Sequence, residues 1–223
     1  MIGFYDYTVI LTYLSIISAT TGIVVSLSGL GHPFIGAFFL LFCGLCDAFD
    51  GKVARTKQNR SEIETKFGIQ IDSLSDLVAF GVLPACIGAA MFRRLSMPKS
   101  KMERTYTVLL FAIMALYVLA ALIRLAYFNV TEEIRQKTEG GARKTYTGLP
   151  VTSAAIIFPT VLLIHYLLPV DITPIYLAIM LFTAMLFVSK IKITKPGLRG
   201  ILIWIGVGTV EFAVLLLFYL FKK

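Results

Sequence analysis

Apolar stretches long enough to cross a bilayer as helices recur along this chain, and they leave little room for any other fold. Seven are read: Val9–Leu30, Phe34–Val53, Ile69–Phe92, Tyr106–Val130, Leu149–Leu168, Pro174–Ser189 and Ile201–Phe221. A helix needs roughly twenty residues to span the hydrocarbon core. The sixth stretch is short, so the count lies between six and eight. In lipid every backbone polar group must be satisfied internally, which admits helices or a closed barrel. A barrel would show alternating segments of about ten residues, and these runs are continuous. With 57% hydrophobic and 15% charged residues, and a mean hydropathy of +0.83, an ordinary soluble domain is excluded. The expected fold is all-α, a polytopic transmembrane helical bundle of about seven spans. No linker, repeat or low-complexity tract divides it, so residues 1–223 form a single integral-membrane domain.

The net charge of +8 sits mainly in short loops between spans, as expected of juxtamembrane cations beside anionic lipid. No basic stripe interleaved with aromatics occurs, so no nucleic-acid partner is expected. Cytoplasmic loops carry the excess of Lys and Arg. With the loop after the second span inside, that side holds Lys52, Arg55, Lys57, Arg60, Lys66, Arg135, Lys137, Arg143, Lys144, Lys190, Lys192, Lys195 and Arg199. The other side holds only Arg93, Arg94, Lys99, Lys101, Arg104, Lys222 and Lys223. The protein is thus expected to be multi-pass in the cell membrane. The N-terminus, with Asp6 and no basic run, reads as the approach to a first span rather than a signal peptide. Cys43, Cys46 and Cys86 fall within spans and are assigned to packing, and His32 and His165 are isolated.

Charge within the apolar segments concentrates at one place. DAFDGKVAR begins at Asp47, and GIQIDSLSD ends at Asp76. Asp47 and Asp50 are three apart; Gly68, Asp72 and Asp76 are each four apart. At about 100° per residue each set falls on one helix face, and two such helices facing one another present a ring of four aspartates. At a span centre each would cost roughly 2.5–3.5 kcal/mol, and mutual repulsion adds to that. Divalent cations compensate, and oxygen-only ligands favour Mg²⁺, Mn²⁺ or Ca²⁺ over zinc. Two ions about 3.5–4 Å apart sharing carboxylates is the geometry of two-metal phosphoryl transfer. The topology puts this cluster at the cytoplasmic face. Gly51, Ala54 and Gly68 leave room beside it for a bulky ligand or a close helix crossing, and Arg55 can pair bidentately with a phosphate.

Asp47, Asp50, Gly51, Ala54, Arg55, Gly68, Asp72 and Asp76 match the pattern D-x-x-D-G-x-x-A-R…G-x-x-x-D-x-x-x-D. In this the chain resembles the CDP-alcohol phosphotransferase family. Twelve residues separate Arg55 from Gly68, against about eight in the family pattern, and the extra length falls in the polar stretch NRSEIETK, where a loop tolerates insertion. It is expected to lengthen a cap over the site. The resemblance implies two divalent cations, Mg²⁺ or Mn²⁺, with Asp47 and Asp72 bridging, Asp50 holding the first and Asp76 the second. It implies Asp76 as general base toward the incoming alcohol. It implies that Gly51, Ala54 and Gly68 admit the cytidine nucleotide and that Arg55 holds its diphosphate. A loop hydroxyl, Ser61 or Thr65, is expected to help. The family's N-x-x-T in the first span corresponds here to SATTG, which retains Thr21 without the asparagine.

Two further segments, ALIRLAYFN (121–129) and YTGLPVTSAA (146–155), together with GVLPA (81–85), are similar to the phosphatidylserine synthases within that family. An arginine inside a span is a functional-site candidate by default. Arg124 is therefore expected to bind the carboxylate of serine or the lipid phosphate, or to neutralise the aspartates. Asn129, Thr147, Gly148 and Ser153 join it as candidate acceptor contacts. Glu211, alone in the last span, is read as a helix contact or headgroup residue. The implied reaction joins CDP-diacylglycerol and L-serine, giving phosphatidylserine and CMP, in an enzyme that works among membrane lipids as a homodimer. A sibling transferase using glycerol 3-phosphate, inositol phosphate or an archaeal-type lipid donor is the nearest rival, with Arg124, Arg143 and Lys144 as the basic cluster it needs. A divalent-metal transporter would require carboxylates through the membrane's depth, and a lipid-binding scaffold would not need the full aspartate set.

Overall fold

The computed structural model describes residues 2–28, 34–94, 101–138, 145–167, 171–194 and 198–221. Within them run helices α1 (Ile10–Ser28), α2 (Ile35–Ala54), α3 (Glu62–Arg94), α4 (Lys101–Thr138), α5 (Ala154–Leu167), α6 (Thr173–Phe187) and α7 (Leu198–Phe221). Each coincides with one expected apolar stretch. Ile10–Ser28, Glu62–Arg94 and Arg104–Thr138 have the length and hydropathy of spans on their own, while Val151–Ile164, Thr173–Phe187 and Leu202–Phe218 are shorter apolar helical stretches. The outward faces are apolar too: Leu109, Phe111, Leu202, Ile203 and Val210 are all exposed, a surface that suits lipid and not water. The molecule is a membrane helical bundle.

Two polar connections, Thr56–Lys66 and Thr131–Gly148, are partly helical. The first turns helical at Glu62, because Ser61 and Glu64 form a capping box: the Ser61 hydroxyl accepts from the Glu64 N–H, and the Glu64 carboxylate accepts from the Ser61 N–H. The extra residues therefore lengthen α3 instead of forming a loose cap. In the second, α4 stays helical to Thr138, bound by Glu132–Arg135 and Glu133–Lys137 pairs on its surface. Beyond it a short strand β1 (Thr145–Thr147) pairs antiparallel with β2 (Lys192–Thr194). This ribbon ties the segment before α5 to the segment after α6. Gly148 ends it at φ +76°, its N–H donating to the Ile191 carbonyl, and a Cβ there would lie 2.6 Å from the Phe187 carbonyl oxygen. Its role is thus to make a turn that no other residue fits.

α3 changes character directly after Asp76. Leu77–Val82 forms a π-turn, with the Leu83 N–H reaching the Val78 carbonyl. The cause is Pro84, which has no N–H to give to the Phe80 carbonyl one turn earlier. The Tyr117 hydroxyl of α4 donates to that carbonyl instead, at 2.6 Å, and the Tyr176 hydroxyl of α6 donates to the Pro84 carbonyl at 2.8 Å. Tyr117 and Tyr176 both pack on Phe158 of α5. Two buried hydroxyls thus hold the irregular turn, which follows the last aspartate, against three neighbouring helices.

Candidate metal centre and active site

The last two turns of α2 carry Asp47 and Asp50, and the middle of α3 carries Asp72 and Asp76. Ser75 donates to the Thr12 carbonyl at 3.3 Å, which seats α1 against this level of α3. One carboxylate oxygen each of Asp47, Asp50 and Asp72 lies within 4.8 Å of the other two. Asp50 also accepts from the N–H of Gly51. Asp76 is buried and, with Asp47 and Asp72, lines a cavity of about 970 Å³. Oxygen donors converging at this spacing fit a hard divalent cation, and four carboxylates gathered at buried or half-buried positions call for compensating positive charge.

The remaining pattern residues frame the cluster. Arg55, exposed at the end of α2, folds back over Gly51, where a Cβ would lie 3.5 Å from its Nη1. Ala54 is half-buried in the final turn of α2. Gly68 lies one turn before Asp72, and its open face is covered by the guanidinium of Arg60. The hydroxyls expected to assist are otherwise engaged. Ser61 caps α3, and exposed Thr65 donates to the Ser61 carbonyl. Thr21 is exposed and donates to the Ile17 carbonyl of its own helix, about two and a half turns from the Thr12 level that meets α3.

The cavity separates the candidate acceptor residues into two groups. Arg124, 7% exposed, lines it beside Asp47 and Asp76, with its guanidinium 4.9 Å from the centre of the Phe128 ring. Asn129 lines it as well and donates to the Ser73 hydroxyl at 2.7 Å. Ser153 also lines it, its hydroxyl bonded to the Pro150 carbonyl. Thr147 and Gly148 are not in the wall; they belong to the ribbon. Ser73, Thr152 and Tyr146 are in the wall and carry no spacing signal that marks them in the sequence. From α7 the wall takes Trp204, Gly208 and Phe212, which make its outer part apolar.

Other sequence candidates resolve simply. Cys43 donates to the Ser15 carbonyl, and Cys43, Cys46 and Cys86 are free thiols packed in the bundle. Glu211 is a helix contact: buried in α7, it accepts from Thr160 of α5. His32, Arg143 and Lys144 lie outside the described residues, as does the side chain of His165.

A family model described as CDP-alcohol phosphatidyltransferase matches residues 8–212. Among curated proteins, the chain is 37% identical to the CDP-diacylglycerol–serine O-phosphatidyltransferase of Saccharomyces cerevisiae over 59% of this chain and 43% of that protein. It is 30% identical to the enzyme of the same name from Helicobacter pylori, over 72% of this chain and 61% of that one. It is 35% identical to the archaetidylserine synthase of Methanothermobacter thermautotrophicus, over 64% and 53%. The chain thus spans about half the length of the curated relatives it matches. No solved structure gives a significant match. With the family model covering nearly all of the chain and the aspartates of its pattern gathered on two facing helices, the protein belongs to the CDP-alcohol phosphatidyltransferase family.

Proposed function

We propose that this protein is a phosphatidylserine synthase, transferring the phosphatidyl group of CDP-diacylglycerol to L-serine with release of CMP. The observation that carries the reading is the wall shared by Arg124 and Asp76: a buried cation stands in the same cavity as the aspartate assigned as base. The relatives support the acceptor, since those of both kinds are named for a serine lipid and differ in the lipid half.

Asp47, Asp50, Asp72 and Asp76 would hold two divalent cations, Mg²⁺ or Mn²⁺, which supply Lewis-acid stabilisation of charge on the phosphoryl oxygens. Arg55 binds the diphosphate above Gly51. Arg124 holds the serine carboxylate, while the Asn129–Ser73 pair offers polar contacts to the rest of the amino acid. Asp76 takes the proton of the serine hydroxyl. The serine oxygen then bonds to the lipid-side phosphorus, the phosphoanhydride bond breaks, and CMP leaves with the electron pair. The apolar outer wall from α2, α5 and α7 keeps the acyl chains in contact with protein and bilayer during transfer.

The site faces the cytoplasm on the distribution of Lys and Arg between the two sides, and the family likeness supports a homodimer. The test supplies purified protein with CDP-diacylglycerol, Mn²⁺ or Mg²⁺, and one alcohol at a time, following CMP release. Serine-dependent release is the expected result. Release with glycerol 3-phosphate and none with serine would overturn the acceptor.

A further inference from the structure

The residues that lengthen the α2–α3 connection bring one cation to the aspartate face of α3. Positions 64, 68, 72 and 76 share that face, each one turn from the next. Arg60 lies just before the N-cap and runs its side chain down the row. Its Nη2 donates to the Glu64 carbonyl at 3.1 Å, and the same nitrogen sits 2.6 Å from where a Cβ on Gly68 would be. Only a glycine lets the guanidinium lie so low, one turn above Asp72. Arg60 is half-buried, its Nε is buried without a hydrogen-bond partner, and among the described residues no carboxylate pairs with it. A guanidinium has five donors, and leaving a buried one unpaired is costly.

The opposite helix repeats the arrangement. Arg55 lies over Gly51 next to Asp50, as Arg60 lies over Gly68 before Asp72. Each aspartate helix therefore carries a glycine with a guanidinium resting on it, beside the cluster. The connection between them is clamped. Lys57 bridges Asp6 and Glu64 at 2.6 and 2.7 Å, and Phe4 packs edge-on against Phe67 with ring centres 5.3 Å apart. The backbone carrying Arg60 is thus held in place while its side chain has one protein acceptor among the described residues.

We propose that Arg60 is a second diphosphate-binding arginine, closing on the phosphates of the CDP-lipid from the α3 side as Arg55 does from α2. This rests on the donor reading above and adds a residue that the family pattern does not contain. A planar fork between two helices matches the bidentate geometry of phosphate oxygens, and the buried Nε donor finds its partner when the anion arrives.

The test measures binding of CDP and of cytidine, in Mg²⁺, to the detergent-solubilised full chain. Wild type is compared with R60Q and with R60M, which keeps an apolar stem against α3. CDP affinity is expected to fall at least about tenfold in both variants, with cytidine affinity unchanged. CDP binding at the wild-type level in either folded variant would overturn the proposal. An equal loss for cytidine would overturn it too, marking Arg60 as a scaffold or base contact. Absence of CDP binding in wild type would instead remove the donor reading itself.

Discussion

The aspartate cluster and the proposed acceptor wall touch the same cavity but are built in opposite ways. The cluster comes from two consecutive helices, and each contributes carboxylates three or four residues apart. Helical periodicity alone puts those on one face, so the chemistry is visible in thirty residues of sequence. The acceptor wall draws Ser73 from α3, Arg124 and Asn129 from α4, Tyr146 from β1 and Ser153 from the turn before α5. Nothing local links these positions. Their proximity depends on the π-turn at Pro84, the hydroxyls of Tyr117 and Tyr176 that accommodate it, and the ribbon that turns at Gly148. A site built on one helix pair constrains the reaction type, and one assembled from four segments constrains the substrate.

The contrast is breakable by mutation. The largest effect is expected at Asp76, where Asp76→Asn keeps the shape and removes the base. Its kcat should fall about 10²- to 10⁴-fold with little change in either KM, and full activity would remove the general-base assignment. Arg124→Ala comes next. Loss of a charged hydrogen bond predicts a serine KM raised about 10- to 100-fold, with the KM for CDP-diacylglycerol unmoved. An unchanged serine KM would make Arg124 a neutralising partner of the aspartates. Asn129→Ala removes a neutral contact and the donor to Ser73; a rise of about three- to tenfold in serine KM is expected. Similar changes in both KM values would show that the wall and the cluster are not separable.

The smallest effect belongs to the clamp on the α2–α3 connection. The hydrogen bond from Lys57, with a second from Thr8, holds the Asp6 carboxyl at about 2, below its ordinary 3.8. A depressed pKa contributes stability above the unfolded value and loses it as pH falls through the folded one. Docking of residues 2–9 should therefore weaken between pH 3.8 and about 2. Asp6→Asn should speed amide exchange there up to about fivefold at neutral pH and converge with wild type at the acid end. A constant difference across that range would remove Asp6 as the titrating group.

The same distinction explains what the sequence revealed. All seven helices were legible because lipid demands long apolar runs, and the eight pattern residues were legible because their spacing is helical. The extension of α3 is hidden because a polar stretch such as NRSEIETK reads as loop unless the Ser61–Glu64 capping box is given weight. Thr21 gives no sign in the sequence of its partner: a hydroxyl in a span satisfies itself on its own helix, as Thr21 does on Ile17. Gly148 and Thr147 lie near the acceptor segment in sequence, yet the ribbon takes them out of the cavity wall. In sequence Arg60 reads only as a loop charge, because the pattern residue Gly68 gives no sign of what rests on it.

The most direct measurement offers the protein an equimolar mixture of L-serine, glycerol 3-phosphate and inositol phosphate with CDP-diacylglycerol and Mn²⁺, and identifies the lipid formed by mass. The account predicts phosphatidylserine as the dominant product. Phosphatidylglycerol phosphate or phosphatidylinositol phosphate in its place would contradict it, leaving the aspartate chemistry intact and the acceptor wall misread.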